Sequence, residues 1–183
     1  MKRRNGFTLI ELIVVIGIIM LLAGLMMGGL NAAGQRAKKT RARREVDLIS
    51  IAWNAYYADY QRFPDARFSG EDSITITKMN ADAIQILRKP RENPYEQTHS
   101  KNPRRQEYMD FHFAVTNFSD PWKNTYMVIL DNGGGAGYDG EIDVPVPDGS
   151  GSEEPIRHSV AVYSKGEDGE EGTADDVCSW RDR

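Results

Sequence analysis

The chain has 183 residues, of which 27% are charged, and a formal net charge of −4. That balance excludes a general affinity for nucleic acid, and the length allows one small domain beside an apolar N-terminal segment. The only cysteine, Cys178, excludes an intrachain disulfide, so loops must be tied down by other means.

Three basic residues, Lys2, Arg3 and Arg4, precede Gly6-Phe7-Thr8-Leu9-Ile10-Glu11. From Leu12 to Leu30 no charged side chain occurs. A helix across a bilayer core needs roughly 20 such residues. A secretory signal would have a shorter apolar region followed by an Ala-x-Ala-like cut site, and no such pattern ends this run. Glu11 stands at the front edge of the apolar run, where a carboxylate is costly and usually has a partner and a task.

The junction Arg4-Asn5-Gly6-Phe7-Thr8-Leu9-Ile10-Glu11 resembles the leader junction of type IV pilins and pseudopilins. That resemblance implies a prepilin peptidase cutting after Gly6 and a mature, N-methylated Phe7. It also implies that Glu11 pairs with the N-terminal amine of a neighbouring subunit during assembly. Physically, a buried carboxylate is tolerated when a cation is desolvated with it; the plainer alternative is a carboxylate snorkelling at headgroup depth. By resemblance, then, residues 1–6 are a leader, 7–62 a long helix whose residues 7–30 span the membrane, and 63–183 a periplasmic globular domain. Orientation carries a conflict. Arg36, Lys38, Lys39, Arg41, Arg43 and Arg44 outnumber the three leader bases, so a plain count puts the large domain in the cytoplasm. The resemblance places the N-terminus inside and overrules the count.

Gly17, Gly24, Gly28 and Gly29 allow close helix approach in lipid. Gly28-Gly29 reads either as a flexible point, where many family members have a Pro, or as ordinary membrane-helix glycine. Residues 35–60 lack Gly and Pro. Val46, Ile49, Trp53, Tyr56 and Tyr60 fall on one helix face, with Leu48, Ile51, Ala52 and Ala55 expected to widen it. The basic cluster at 36–44 is expected to face headgroups, solvent or a neighbour's acids. Phe63-Pro64 is expected to end the helix.

Beyond it, Ile74–Thr77 alternates, and Asn80 is expected to cap a short helix ended by Pro90. Residues 91–107 read as a long exposed loop. Strands are predicted at Phe111–Val115, Tyr126–Leu130 and Ser159–Ser164, the first two joined by a turn at Asp120-Pro121-Trp122-Lys123-Asn124. That turn and strand resemble the sheet region of major pseudopilins of type II secretion, with Lys123 where the family has Gly and Thr125 where Pro is usual. The predicted fold class is therefore α+β: a long N-terminal helix packed on a small antiparallel sheet, with a C-terminal loop.

The tail Ser164–Asp176 is rich in acids and glycines. By composition it reads as a solvated acidic turn. It also resembles the C-terminal calcium loop of major pseudopilins, which implies a Ca²⁺ held by Asp168, Asp175 and Asp176 with backbone carbonyls; calcium takes 6–8 oxygens from such flexible loops. The glycine-rich stretch Asp131–Gly140 reads as a plain loop, since no helix pattern follows it as a dinucleotide fingerprint requires.

No catalytic constellation stands out. His99, His112 and His158 lack metal-ligand spacing, Gly149–Ser152 lies in a polar loop, and Cys178 reads as a buried or tail thiol. The resemblance implies a non-enzymatic subunit of a type II secretion pseudopilus, in the inner membrane with its domain in the periplasm. Its expected partners are other pseudopilins in a helical filament, a prepilin peptidase and an inner-membrane secretion platform. A type IV pilus pilin or minor pseudopilin is the nearest alternative. A membrane-anchored calcium-binding or enzymatic domain is the alternative from another class.

Overall fold

The computed structural model describes residues 7–64, 74–88, 101–112, 115–131, 140, 142 and 156–180, with 25–31 and 74–77 placed by their backbone alone. Helix α1 runs Leu9–Tyr60. Its start is fixed by a capping box. Glu11 Oε2 accepts from Thr8 N at 2.8 Å and from Thr8 Oγ1 at 2.7 Å, while Glu11 N reaches Thr8 Oγ1 at 3.4 Å. Its end is a left-handed residue, Gln61 (φ 53°), whose N–H donates to Tyr57 O at 2.7 Å, a common way to satisfy a last-turn carbonyl. The helix thus stops just ahead of Phe63-Pro64, as predicted.

The chain divides into two compact units, residues 1–38 and 39–183. In the first, the described large apolar side chains of the helix, Leu9 to Leu22, are all exposed. In the second, Val46, Ile49, Trp53 and Tyr56 are buried in the core, and Ala52 joins them. Leu48 (52% exposed), Ile51 (64%) and Ala55 do not widen that stripe. At 100° per residue they fall on the opposite side of the helix from Val46 and Trp53.

Helix α2, Ala81–Leu87, follows strand β1, Ile74–Lys78. Asn80 caps it as predicted, its Oδ1 accepting from Asp82 N and Ala83 N, both at 3.1 Å. Buried Asn102 closes the next loop: its Nδ2 donates to Ile86 O and Gln106 O, each at 2.8 Å. Part of the stretch expected to be an exposed loop is therefore anchored.

Strands β2 (Met127–Asp131), β3 (Val160–Ser164) and β4 (Val177–Cys178) complete a four-stranded antiparallel sheet in the order β1-β2-β3-β4. Ile76 faces Ile129, Ile129 faces Ala161, and Tyr163 faces Cys178 in the register. β2 and β3 are buried along all five residues. One face, including Val128, Leu130, Val160 and Val162, packs into the core that holds Val46, Ile49 and Trp53. The other packs Met127, Ile129, Ala161, Tyr163 and Cys178 with Ile142, Ile156 and Trp180.

Two expectations are corrected. The described residues of Phe111–Val115 are not a strand; Phe113 and Ala114 lie outside the described residues. Val115 N donates to His112 O at 2.9 Å, which turns the backbone, and Phe111 packs edge-on against Phe118. β4 was not predicted from sequence, and it brings Cys178 into the sheet.

Candidate functional site

At the N-terminus, Gly6 lies outside the described residues and Phe7 is 87% exposed. The bonds from Thr8 both end on Oε2 of Glu11. The carboxylate therefore serves the helix start through one oxygen.

The second site lies at the end of the sheet, where β3 runs into the acidic loop. Three glycines take left-handed conformations there: Gly166 (φ 66°), Gly169 (φ 74°) and Gly172 (φ 81°). Each reverses the backbone where a side chain would be strained. The turns point backbone N–H groups inward, and the aspartates accept from them. Asp175 Oδ2 takes Glu167 N at 2.5 Å and Asp168 N at 3.2 Å. Asp168 Oδ1 takes Glu170 N at 2.9 Å, and Asp176 Oδ2 takes Gly172 N at 2.8 Å. The Thr173 hydroxyl sits among all three, 2.7 Å from Asp175 Oδ1 and 3.4 Å from an Oδ1 of Asp168 and of Asp176.

Their electrostatics differ. The Thr173 hydroxyl and the backbone N–H groups hold Asp175 below the usual aspartate range, whereas burial raises Asp176, which is 3% exposed. The loop does bring the predicted residues Asp168, Asp175 and Asp176 together. Yet among the described residues no group of three or more His, Cys, Asp or Glu side chains is arranged to hold a metal ion. The physical reason is in the contacts: each carboxylate is turned to the loop's own donors.

Sequence reasoning missed what fastens this loop to the sheet. Asp120, buried, accepts from Trp122 N (2.9 Å) and Asn124 N (2.8 Å) through Oδ1. Its Oδ2 accepts from the Ser164 hydroxyl at 2.5 Å. Ser164 Oγ accepts in turn from Gly166 N at 3.2 Å, and Asn124 Nδ2 donates to Gly166 O at 2.8 Å. The turn predicted at 120–124 is present, closed by Asp120 N to Asn124 O at 2.8 Å. Lys123 adopts φ 80°, the conformation a glycine would favour. The available signal was the Asp-Pro turn itself; its partner is 44 residues away.

Residues 1–27 match the family described as the prokaryotic N-terminal methylation motif. Over 179 residues the chain is 28% identical to type II secretion system core protein G of Aeromonas hydrophila, covering 98% of this chain and 94% of that one. It is 27% identical over 182 residues to the protein of the same name in Pseudomonas aeruginosa, covering 98% and 96%. Both relatives are core proteins of type II secretion systems, and the similarity runs over nearly the whole of this chain. A crystal structure of the major pseudopilin of the type 2 secretion system of enterohaemorrhagic Escherichia coli overlaps 82% of this chain and 93% of that one, with 16% identity and a TM-score of 0.40. Among the described residues no helix is long and apolar enough to cross a membrane.

Proposed function

We propose that this chain is a structural, non-enzymatic subunit of a type II secretion pseudopilus. A prepilin peptidase cuts between Gly6 and Phe7. Residues 7–30 of the long helix 7–62 hold the subunit in the inner membrane, with domain 63–183 in the periplasm. Its helix then packs with other pseudopilins into a helical filament, raised by an inner-membrane secretion platform to help drive protein export. The observation that carries this reading is the junction: a matched methylation motif over residues 1–27 leads into a helix whose described apolar side chains, Leu9 to Leu22, are exposed and require a cover. In assembly, the other carboxylate oxygen of Glu11 receives the amine of a neighbour's Phe7, while Oε2 keeps the capping box.

Mass spectrometry of assembled material from a host with the peptidase should begin at N-methyl-Phe7. Glu11→Ala should leave membrane insertion intact and abolish filaments. Intact leader in filaments, or normal filaments from Glu11→Ala, refutes the reading.

For the C-terminal loop we propose Ca²⁺ as ligand of Asp168, Asp175 and Asp176. Support comes from the convergence of three carboxylate oxygens within 3.4 Å of one hydroxyl oxygen, Thr173 Oγ1. Binding requires the carboxylates to turn away from donors they now accept from, so it changes the loop's geometry.

A further inference from the structure

Arg36, Lys38, Lys39, Arg41, Arg43 and Arg44 lie in one uninterrupted helix, and no acid occurs between Glu11 and Glu45. Five of the six are exposed and Arg43 is half-buried. Glu45 takes up one of them, accepting from Arg41 Nε at 2.8 Å. The rest matter by where they point. At 100° per residue, Lys38 and Arg44 lie about 120° apart around the helix axis, and Arg36, Lys39 and Arg43 fall on the wider arc between them. Cations on several sides fit a partner that surrounds the helix.

Depth supports the same partner. The uncharged run Leu12–Leu30 is about 28 Å of helix at 1.5 Å per residue, close to a hydrocarbon core of about 30 Å. Asn31 to Gln35 add about 8 Å, which puts the first of the six cations at headgroup level. The cluster then extends about 12 Å further. We propose that this cationic collar binds anionic phospholipid headgroups of the leaflet from which the domain emerges. The inference rests on the membrane placement proposed above and goes beyond it by naming the lipid class. It also gives the bases a role compatible with an orientation that the positive-inside count opposes: once across, they are held by lipid phosphates. Juxtamembrane bases near an anionic surface attract it within a Debye length.

The test uses the full chain reconstituted in phosphatidylcholine vesicles containing a minority of phosphatidylglycerol. Electron spin resonance then reads the motionally restricted fraction of spin-labelled phosphatidylglycerol and of spin-labelled phosphatidylcholine. The native chain should favour phosphatidylglycerol several-fold at low salt, and molar salt should bring the ratio toward one. Lys38→Gln, Lys39→Gln and Arg43→Gln together should do the same at low salt while leaving the restricted phosphatidylcholine fraction unchanged. Equal restriction of both lipids by the native chain overturns the inference and leaves the membrane placement standing. No restricted fraction of either lipid overturns both. A phosphatidylglycerol preference that the triple variant retains also overturns it. So does a chain without that preference whose subunit cross-linking is lost in the triple variant, because the collar then serves a protein neighbour.

Discussion

Replacing Asp120 tests whether the 120–124 turn holds the C-terminal loop. In Asp120→Ala three donors lose their acceptor: Trp122 N, Asn124 N and the Ser164 hydroxyl. Hydrogen bonds to a charged group contribute about 1.5–3 kcal/mol each, and a buried donor left without an acceptor costs about 1–3 kcal/mol. The two backbone donors belong to half-buried residues and regain water, so they lie at the low end; Ser164 is fully buried and lies at the high end. The sum is about 3–5 kcal/mol, a large share of the 5–15 kcal/mol that typically holds a domain. At about 2–4 °C per kcal/mol for this size, the midpoint should fall by about 10 °C. Asp120→Asn keeps an acceptor for both backbone groups and disturbs only the Ser164 end, so it should cost about 2 kcal/mol less than Asp120→Ala. Guanidinium unfolding of the full chain in detergent, followed by tryptophan fluorescence, measures both. A loss under 1 kcal/mol for Asp120→Ala, or an equal loss for the two variants, refutes the assignment.

Gly166→Ala should cost about 1–3 kcal/mol in the same assay, because φ is 66° and a Cβ would run into the Asp175 side chain and lie 2.9 Å from its backbone carbonyl carbon. Gly169→Ala, whose Cβ would meet Asn124 Oδ1 at 3.3 Å, should cost only about 1 kcal/mol, the left-handed penalty. Asp175 and Asp176 should give pH effects of opposite sign. The lowered pKa of Asp175 contributes stability that is present above the unfolded aspartate value and lost as pH falls through the folded one. The raised pKa of Asp176 makes stability fall as pH rises from the unfolded value through the folded one. Unfolding curves from pH 2 to 7 should therefore lose part of the acid limb in Asp175→Asn and part of the opposing slope in Asp176→Asn. Calcium should raise the melting temperature of the full chain over chelator, by the equivalent of about 2.7 kcal/mol at a hundredfold excess over Kd, with magnesium substituting poorly. Asp175→Ala should remove the difference, and equal melting in calcium and chelator refutes the ligand.

Local chemistry made much of this structure legible. The capping residue Asn80 acts on backbone groups two and three positions away, and the strands at 127–131 and 160–164 are bounded runs of apolar residues. What escaped depends on partners distant in sequence. Leu48 and Ile51 are as apolar as Val46, and only their angle around the helix leaves them outside the core. Phe111–Val115 has strand composition, but Phe111 is claimed by Phe118 and the backbone turns at Val115. β4 is two residues long and exists because Val177 and Cys178 meet Ser164 and Tyr163. The anchoring of the acidic loop depends on a hydroxyl 44 residues from Asp120.

That anchoring also limits what an ion can do. The loop enters through Ser164 and Gly166, both tied to the 120–124 turn. It leaves through β4, and just beyond it Ser179 N donates to Val162 O at 2.9 Å while Ser179 Oγ accepts from Val162 N at 3.0 Å. Both ends are held by hydrogen bonds to the turn and the sheet, and Cys178, the one cysteine of the sequence, is buried. Only the stretch between them, 167–175, depends on carboxylates accepting from its own backbone. Calcium, by turning the carboxylates away from these donors, should therefore raise hydrogen exchange at the amides of Glu167, Asp168 and Gly172 relative to chelator, and leave Val162 and Ser179 protected in both. Opening of β4 on chelation would mean that the ion, rather than Asp120 and the sheet, holds the tail.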